Sequence, residues 1–362
     1  MRGTGHHAAA LREHAWLIAL LAVYTAGVFV TAAAFGRFPG SLAAPIGYIV
    51  FSGSILALAL AAACVRAALG DRQRPLRAVM VWGRAWTREH GPATLISCSA
   101  LPALMTVFLL GKTLIPLIHP FSWDVAFADL DRLLHGGTPW ELMQPVLGHP
   151  AITQGLSRIY TFWFTLPFCA WIVWSLSSHP ERMRFLISFT LCWIVLGTLA
   201  ATVFSSAGPV FYAEVTGDGD TFGGLMRYLR DVDRQSPLLS LAIRDGLWHA
   251  YVGGTDGIVS GISAMPSLHV AMVTLCAISG WYISRMVGLL LTLFAAVIFV
   301  GSIHLGWHYA VDGYAAVLAV AGIWYAVGWL LNRRREGAAD SRRPAPAGIP
   351  GVIGAGRVVN RW

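Results

Sequence analysis

Long apolar stretches recur along this chain of 362 residues and constrain its fold more than any other feature. Hydrophobic residues make up 56% of the sequence, whereas charged residues make up only 12%. A helix needs about 20 predominantly apolar residues to cross the hydrocarbon core of a bilayer. Stretches of that length lie at residues 15–35, 43–69, 94–118, 156–177, 183–206, 264–284, 286–306 and 310–332. The sequence therefore predicts an all-α polytopic membrane protein with about eight transmembrane helices, and it excludes a soluble globular protein.

The distribution of basic residues predicts the orientation of these helices. Eight crossings place both termini on one side of the membrane, together with the loops at 70–93, 178–184 and 285. This side carries 18 of the 26 lysines and arginines. Because loops rich in Lys and Arg stay in the cytoplasm, we expect an integral protein of the bacterial inner membrane with cytoplasmic termini.

The net charge of +8 does not indicate nucleic-acid binding. The excess arginines lie in short loops beside the spans, where membrane topology and anionic lipid account for them. Residues 72–91 combine five arginines with apolar and Trp side chains, a pattern typical of an amphipathic helix at the inner membrane surface. The predicted parts are two N-terminal helices with this basic segment (1–93), a core of six helices (94–332) with extracytoplasmic loops at 119–155 and 207–263, and a basic disordered tail (333–362).

The residues that commonly bind metals show no metal-binding pattern. All five cysteines lie inside predicted spans without Cys-x-x-Cys spacing, so we expect packing residues and neither disulfides nor a zinc site. Asp124, Asp129 and Asp131 lack the spacing of a calcium loop. We expect these carboxylates to cap short helices at the membrane surface.

Two histidines separated by 39 residues, His269 and His308, predict a shared pocket. The interval is long enough for one transmembrane hairpin that turns at residues 284–285, so both histidines reach the same, extracytoplasmic, membrane face. Asp312 follows His308 by four residues, the offset that places two side chains on one helical face. A carboxylate in this position can hold one imidazole nitrogen protonated and leave the other free as a nucleophile.

The segment before His269 predicts an anion-binding helix terminus. Pro266 suits the first turn of a helix, and unpaired N–H groups there, with the Ser267 hydroxyl and the Leu268 backbone, form a cradle for phosphate. His269, one turn inside, can protonate a leaving oxygen and later accept a proton. A lone histidine near an interface usually has a structural role, but ionisable groups at span ends are costly, so three of them on one face predict a functional site.

Two segments carry a family resemblance. Met265-Pro-Ser-Leu-His269 and Gly306-Trp-His-Tyr-Ala-Val-Asp312 resemble the second and third signatures of the type 2 phosphatidic acid phosphatase superfamily, and the resemblance covers about residues 94–332. It implies a membrane core of six helices, no metal or other cofactor, a phosphohistidine at His308, acid–base catalysis by His269 and orientation of His308 by Asp312.

The departures from these signatures are similar to the inositolphosphorylceramide synthase-like branch of the superfamily. Leu268 stands where the second signature has Gly, and Gly301-Ser302 stands where the third has Ser-Arg. The first signature, Lys followed after six residues by Arg-Pro, is absent. Members of that branch transfer a phospho-headgroup between lipids, sphingolipids among them. The resemblance therefore implies a lipid substrate with a phosphate headgroup, and a phosphatase or phosphotransferase that passes the phospho group to water or an alcohol.

Without the signature arginine, another cation must neutralise the phosphate. The candidates are Lys112, near the outer end of the third span, and Arg244 or Arg227 in the loop at 207–263, although the lysine could equally snorkel to the interface and the arginines could be solvated. His304 could bind phosphate or pack against a helix, and Tyr212 could line the headgroup site or anchor at the interface. The alternative function is a transporter or lipid-binding protein whose His/Asp cluster binds protons or an anion.

Overall fold

The computed structural model describes residues 3–37, 43–253 and 261–340, and every regular element in these ranges is helical. The first part of the chain contains α1 (Gly3–Glu13), α2 (Ala15–Ala34), α3 (Ala43–Gly70), α4 (Pro75–Glu89), α5 (Gly91–Ile118), α6 (Asp124–His135), α7 (Pro139–Leu147), α8 (Pro150–Thr161) and α9 (Thr165–Leu176). The second part contains α10 (Arg182–Leu191), α11 (Ala201–Val203), α12 (Tyr212–Thr216), α13 (Gly223–Gln235), α14 (Leu239–Gly253), α15 (Leu268–Ile283), α16 (Arg285–His304) and α17 (Ala310–Asp340).

The apolar helices confirm the predicted all-α polytopic membrane fold. Within the described residues, seven segments are long and apolar enough to cross a membrane: Ala15–Ala34, Ala43–Gly70, Gly91–Ile118, Pro150–Leu176, Arg182–Val203, Arg285–His304 and Ala310–Glu336. The remaining predicted stretch, 264–284, corresponds to α15, which is apolar but has only 16 residues. All eight predicted stretches are therefore helical, and one of them falls short of the usual spanning length.

Helix α15 begins four residues later than predicted because Ser267 caps it. Ser267 has an extended backbone, and its side chain accepts a hydrogen bond from the Val270 N–H. The preceding residues, including Pro266, therefore lie before the helix rather than in its first turn. The helix occupies the centre of the bundle and packs against α9, α10, α16 and α17.

A π-helical segment, Cys192–Ala200, continues α10 and packs closely against the start of α15. A Cβ added to Gly197 in this segment would lie 2.6 Å from the Leu268 Cδ1 atom and 2.8 Å from the Phe108 ring. Only a residue without a side chain permits this approach. The contact keeps the N-terminus of α15 close to this segment.

Short helices cover the end of the bundle where α15 begins and α16 ends. Helices α6, α7, α13 and α14 carry an apolar face that is buried against the loops 205–211 and 305–309. The buried side chains of this second core include Phe127, Trp140, Tyr160, Phe211, Leu225, Val232 and Tyr309. The segment predicted as a loop at 207–263 contains two longer helices, α13 and α14, and Ser236 between them is extended. Pro237 accounts for the break because proline disfavours helical dihedrals in the residue before it.

Candidate active site

The hairpin of α15 and α16 brings His269 and His308 together. The Nε2 atom of His308 lies 3.2 Å from the Nδ1 atom of His269, and the two ring centroids are 5.3 Å apart. Only 3% of the His308 side chain is exposed. A single anion that enters this gap can contact both imidazoles.

Asp312 holds the other side of the His308 ring. The Nδ1–H group of His308 donates to the Asp312 Oδ2 atom over 3.3 Å, and the Tyr309 N–H donates to the same oxygen over 3.0 Å. His308 lies in the turn before α17, and Asp312 lies in the first turn of that helix. The contact therefore depends on this turn and not on one continuous helical face. The Nε2 atom of His308 then carries the lone pair, which faces His269 and accepts from its Nδ1–H group over 3.2 Å.

Burial lowers the pKa of His308 to about 3, and the positive charge of Lys112 acts in the same direction. The neutral imidazole is consequently the dominant form near pH 7. A neutral ring with one nitrogen fixed by a carboxylate is the state required of a histidine nucleophile.

Lys112 is the predicted cation that the structure brings to this pair. Its partly buried side chain lies close enough to both histidines to interact with them electrostatically. A Cβ added to Gly261 would lie 2.8 Å from the Lys112 Cγ atom, so the chain before α15 passes directly over the lysine. Six residues separate Lys112 from His119-Pro120. The complete first signature is absent, as stated above, but Lys112 and Pro120 have its spacing, and His119 stands where it has arginine.

Arg244 is buried but does not face the histidines. Its Nε and Nη2 atoms donate to the Val210 carbonyl over 3.1 and 2.9 Å, and its guanidinium forms ion pairs with Glu214 and Asp245. Protein acceptors therefore occupy the donors that a phosphate would need, and the prediction that Arg244 binds phosphate is corrected on this ground.

The structure places three further predicted ligands in packing positions. The His304 Nε2 atom lies 2.9 Å from the Thr153 Oγ1 atom, and the His304 ring packs edge to face with Tyr228 at a centroid distance of 6.0 Å. The Tyr212 ring packs against Phe222 at 5.0 Å. Leu268 packs against Gly197 in the π-helical segment, as described above. Of the predicted cradle, Ser267 is the residue linked to the histidine pair, since its N–H donates to the Asp312 carbonyl over 3.2 Å.

Two buried carboxylates of α6 hold the loops that carry the site. Asp124 accepts hydrogen bonds from the Ala207 and Gly208 N–H groups and from the Tyr309 hydroxyl, at 2.8 to 2.9 Å for the shortest contact of each. Asp131 accepts from the N–H groups of Ala310 and Val311 over 2.7 and 3.0 Å. Burial raises the pKa of both carboxyls, and the N–H donors oppose that rise. Asp131 therefore caps α17, the helix that carries Asp312, rather than its own helix.

Replacement of Asp131 by alanine should destabilise the protein by about 1–3 kcal/mol, because it leaves two buried N–H groups at the start of α17 without an acceptor. Asp129 supplies the control: it lies two residues away on α6, and its exposed side chain pairs with Arg132. Asp129→Ala should change stability by no more than about 0.5 kcal/mol. Thermal unfolding in detergent measures both effects. Equal unfolding midpoints for the two variants would contradict the capping role.

Aromatic rings enclose His269, and sequence reasoning missed them. Tyr160 stacks on the His269 ring at a centroid distance of 4.5 Å with an interplanar angle of 15°, and Trp163 lies at 4.5 Å on a tilted plane. Both residues lie in an apolar stretch whose composition indicates only a membrane span. Their distance of more than 100 residues from His269 gave no local signal.

A family model described as the PAP2 superfamily matches residues 125–326, which is more than half of the chain. The matched segment begins in α6 and ends in α17, so it contains both histidines and Asp312. Comparison with proteins of curated function finds no match. Comparison with solved structures finds no match either.

Proposed function

The chain belongs to the PAP2 superfamily and is a phosphatase-type membrane enzyme with a lipid substrate, and on this premise we propose that it cleaves a lipid-linked phosphoester through a phosphohistidine at His308. The observation that carries the proposal is the contact of His308 Nε2 with His269 Nδ1, with Asp312 on the opposite side of the His308 ring. This arrangement provides a nucleophile, its orienting carboxylate and an acid–base group around one gap.

In the proposed first step the His308 Nε2 lone pair attacks phosphorus. An N–P bond forms, and the bond between phosphorus and the leaving oxygen breaks. His269, which becomes protonated when the anionic substrate binds, donates that proton to the leaving oxygen and becomes neutral, so that an alcohol or a protonated monophosphate departs. Asp312 stabilises the positive charge that develops on the His308 ring. For this to happen the phosphoryl group must first separate the two histidine rings.

In the proposed second step an acceptor hydroxyl or water attacks the phosphohistidine. His269, now neutral, accepts the proton of the attacking oxygen, an O–P bond forms and the N–P bond breaks. His308 returns to its neutral form. The reaction requires no metal in this proposal, because the imidazole supplies the nucleophile and Lys112 supplies the positive charge.

We further propose an alcohol acceptor, as in inositolphosphorylceramide synthase-like enzymes. The support is the enclosure of the pair: His308 is 3% exposed, and Tyr160 and Trp163 cover the His269 ring. A site that excludes bulk water protects a phosphohistidine from hydrolysis until an acceptor arrives. The excess of basic residues on the side of the termini supports an active site on the extracytoplasmic face of a bacterial inner membrane.

The function is tested by phosphoryl transfer from a panel of radiolabelled lipid phosphates in vesicles, with and without inositol or sugar acceptors and in the presence of EDTA. The proposal predicts a labelled product that orthovanadate suppresses. Labelled free phosphate alone would support hydrolysis rather than transfer. The absence of turnover with every lipid phosphate, together with no vanadate binding, would overturn the proposal in favour of a transporter or lipid-binding protein.

Lys112→Met should weaken orthovanadate binding by about 10- to 100-fold, since a hydrogen bond to a charged group contributes about 1.5–3 kcal/mol. Methionine keeps the length of the side chain and removes its charge, whereas Lys112→Arg should retain most of the affinity. The matched control is Arg158→Met, which removes an exposed positive charge at the end of α8. Vanadate titration measures all three variants. Unchanged affinity in Lys112→Met would exclude the lysine as the phosphate ligand.

A further inference from the structure

The hydroxyl group of Tyr160 is buried and has no hydrogen-bond partner in the structure. The side chain is 3% exposed. The hydroxyls of Tyr24, Tyr228, Tyr309 and Tyr314, by contrast, have side-chain hydrogen-bond partners, which are Thr198, Thr153, Asp124 and His135. Among the described residues, Tyr160 is thus the tyrosine whose buried hydroxyl is unsatisfied. A buried donor without an acceptor costs free energy, so this hydroxyl gains from a hydrogen bond to an acceptor that enters the site.

The position of Tyr160 relates this hydroxyl to the histidine pair. The Tyr160 ring stacks nearly parallel to the His269 ring, with centroids 4.5 Å apart. The phenol also lies within electrostatic reach of the Asp312 carboxylate. Gly301 borders the Tyr160 ring, since a Cβ added there would be in ordinary van der Waals contact with the Tyr160 Cδ2 atom at 3.8 Å. The phenol therefore lies beside the gap between the two imidazoles.

We propose that the Tyr160 hydroxyl donates a hydrogen bond to a non-bridging oxygen of the phosphoryl group held between His308 and His269. This inference rests on the proposed phosphohistidine function and adds a catalytic residue to it. The phenol stays protonated throughout, and it forms and breaks no covalent bond. Its hydrogen bond becomes stronger as negative charge accumulates on the phosphoryl oxygens, so it stabilises the transition state more than the bound substrate.

A structural role for the ring and a catalytic role for the hydroxyl predict different results for Tyr160→Phe, which keeps the stacking on His269 and removes only the oxygen. The catalytic role predicts that kcat falls at least tenfold, that orthovanadate affinity falls by a similar factor, and that KM changes little. It also predicts an unfolding temperature of the ligand-free variant that is equal to or higher than that of the wild-type protein, because the orphan hydroxyl is gone. The stabilisation that vanadate confers should decrease.

Tyr24→Phe is the matched control. Tyr24 lies in α2, which precedes the segment that matches the family, and the substitution removes a hydroxyl that bonds to Thr198 over 2.8 Å. This variant should unfold at a lower temperature and bind vanadate with unchanged affinity. Wild-type kcat and vanadate affinity in Tyr160→Phe would overturn the inference.

The experiment also separates this inference from the proposed function. If His308→Ala is inactive while Tyr160→Phe is fully active, only the role of Tyr160 fails. If His308→Ala retains turnover, the phosphohistidine itself fails. If Tyr160→Phe unfolds during purification, the inference is also overturned. Loss of an unpaired buried donor cannot destabilise the fold to that extent, so the hydroxyl would then have a partner within the protein.

Discussion

His308→Ala should abolish turnover and eliminate the acid-labile phosphoprotein expected when the wild-type enzyme is quenched during turnover of a labelled lipid phosphate. The reason is that no other group takes the place of the Nε2 lone pair, which lies 3.2 Å from His269 Nδ1 and points into the gap. In enzymes with a nucleophile, a base and an orienting carboxylate, loss of the nucleophile reduces kcat by about 10⁶. Quenching in alkaline SDS, in which phosphohistidine survives, followed by electrophoresis without acid steps measures the phosphoprotein, and product release measures turnover.

His90→Ala is the control for this substitution. His90 precedes α5, and its Nε2 atom bonds to the Ser178 hydroxyl near the opposite end of the bundle from the histidine pair. The control should retain both turnover and the labelled phosphoprotein. A labelled, active His308→Ala protein would assign the nucleophile to a different residue.

Asp312→Asn should lower the rate of phosphoprotein formation by about 10³–10⁴, as expected when a carboxylate that fixes a histidine tautomer becomes an amide. The amide can donate to His308 Nδ1, which moves the ring proton to Nε2 and removes the attacking lone pair. The fold should persist, because asparagine keeps the shape of the aspartate side chain, although the Tyr309 N–H loses its acceptor when the NH2 group takes the place of Oδ2.

Rapid-quench kinetics with labelled substrate measure this effect, and thermal unfolding in detergent verifies the fold. Vanadate binding should fall less in Asp312→Asn than in His308→Ala, since the ring remains in place. A phosphorylation rate equal to that of the wild-type protein would show that Asp312 has only a structural role, as the cap of the loop that carries Tyr309.

The sequence predicted those parts of the site that depend on helix length and local spacing. The hairpin from His269 to His308 follows from the length of two membrane crossings, and the short interval between His308 and Asp312 predicts their contact, although the turn before α17 makes it rather than a shared helical face. Lys112 could also be proposed because an isolated lysine at a span end is costly. Each of these inferences uses residues within one or two neighbouring helices.

The remaining features depend on contacts between distant segments, which one sequence does not reveal. Asp131 reaches the N-terminus of α17 across 179 residues of chain. The pairing of Arg244 with Glu214 was equally invisible, and for that reason the arginine was wrongly predicted to bind phosphate. Tyr160 lies in a stretch whose apolar pattern fits any buried helix. All three side chains are positioned by contacts between segments that are distant in sequence.

A structure of the enzyme with orthovanadate tests the central claim most directly, because that claim concerns one anion shared by two histidines. The account predicts vanadium bonded to His308 Nε2, with His269 hydrogen-bonded to a vanadate oxygen and the direct contact of 3.2 Å between the two rings opened. Vanadate bound elsewhere while the two imidazoles remain in contact would contradict the account.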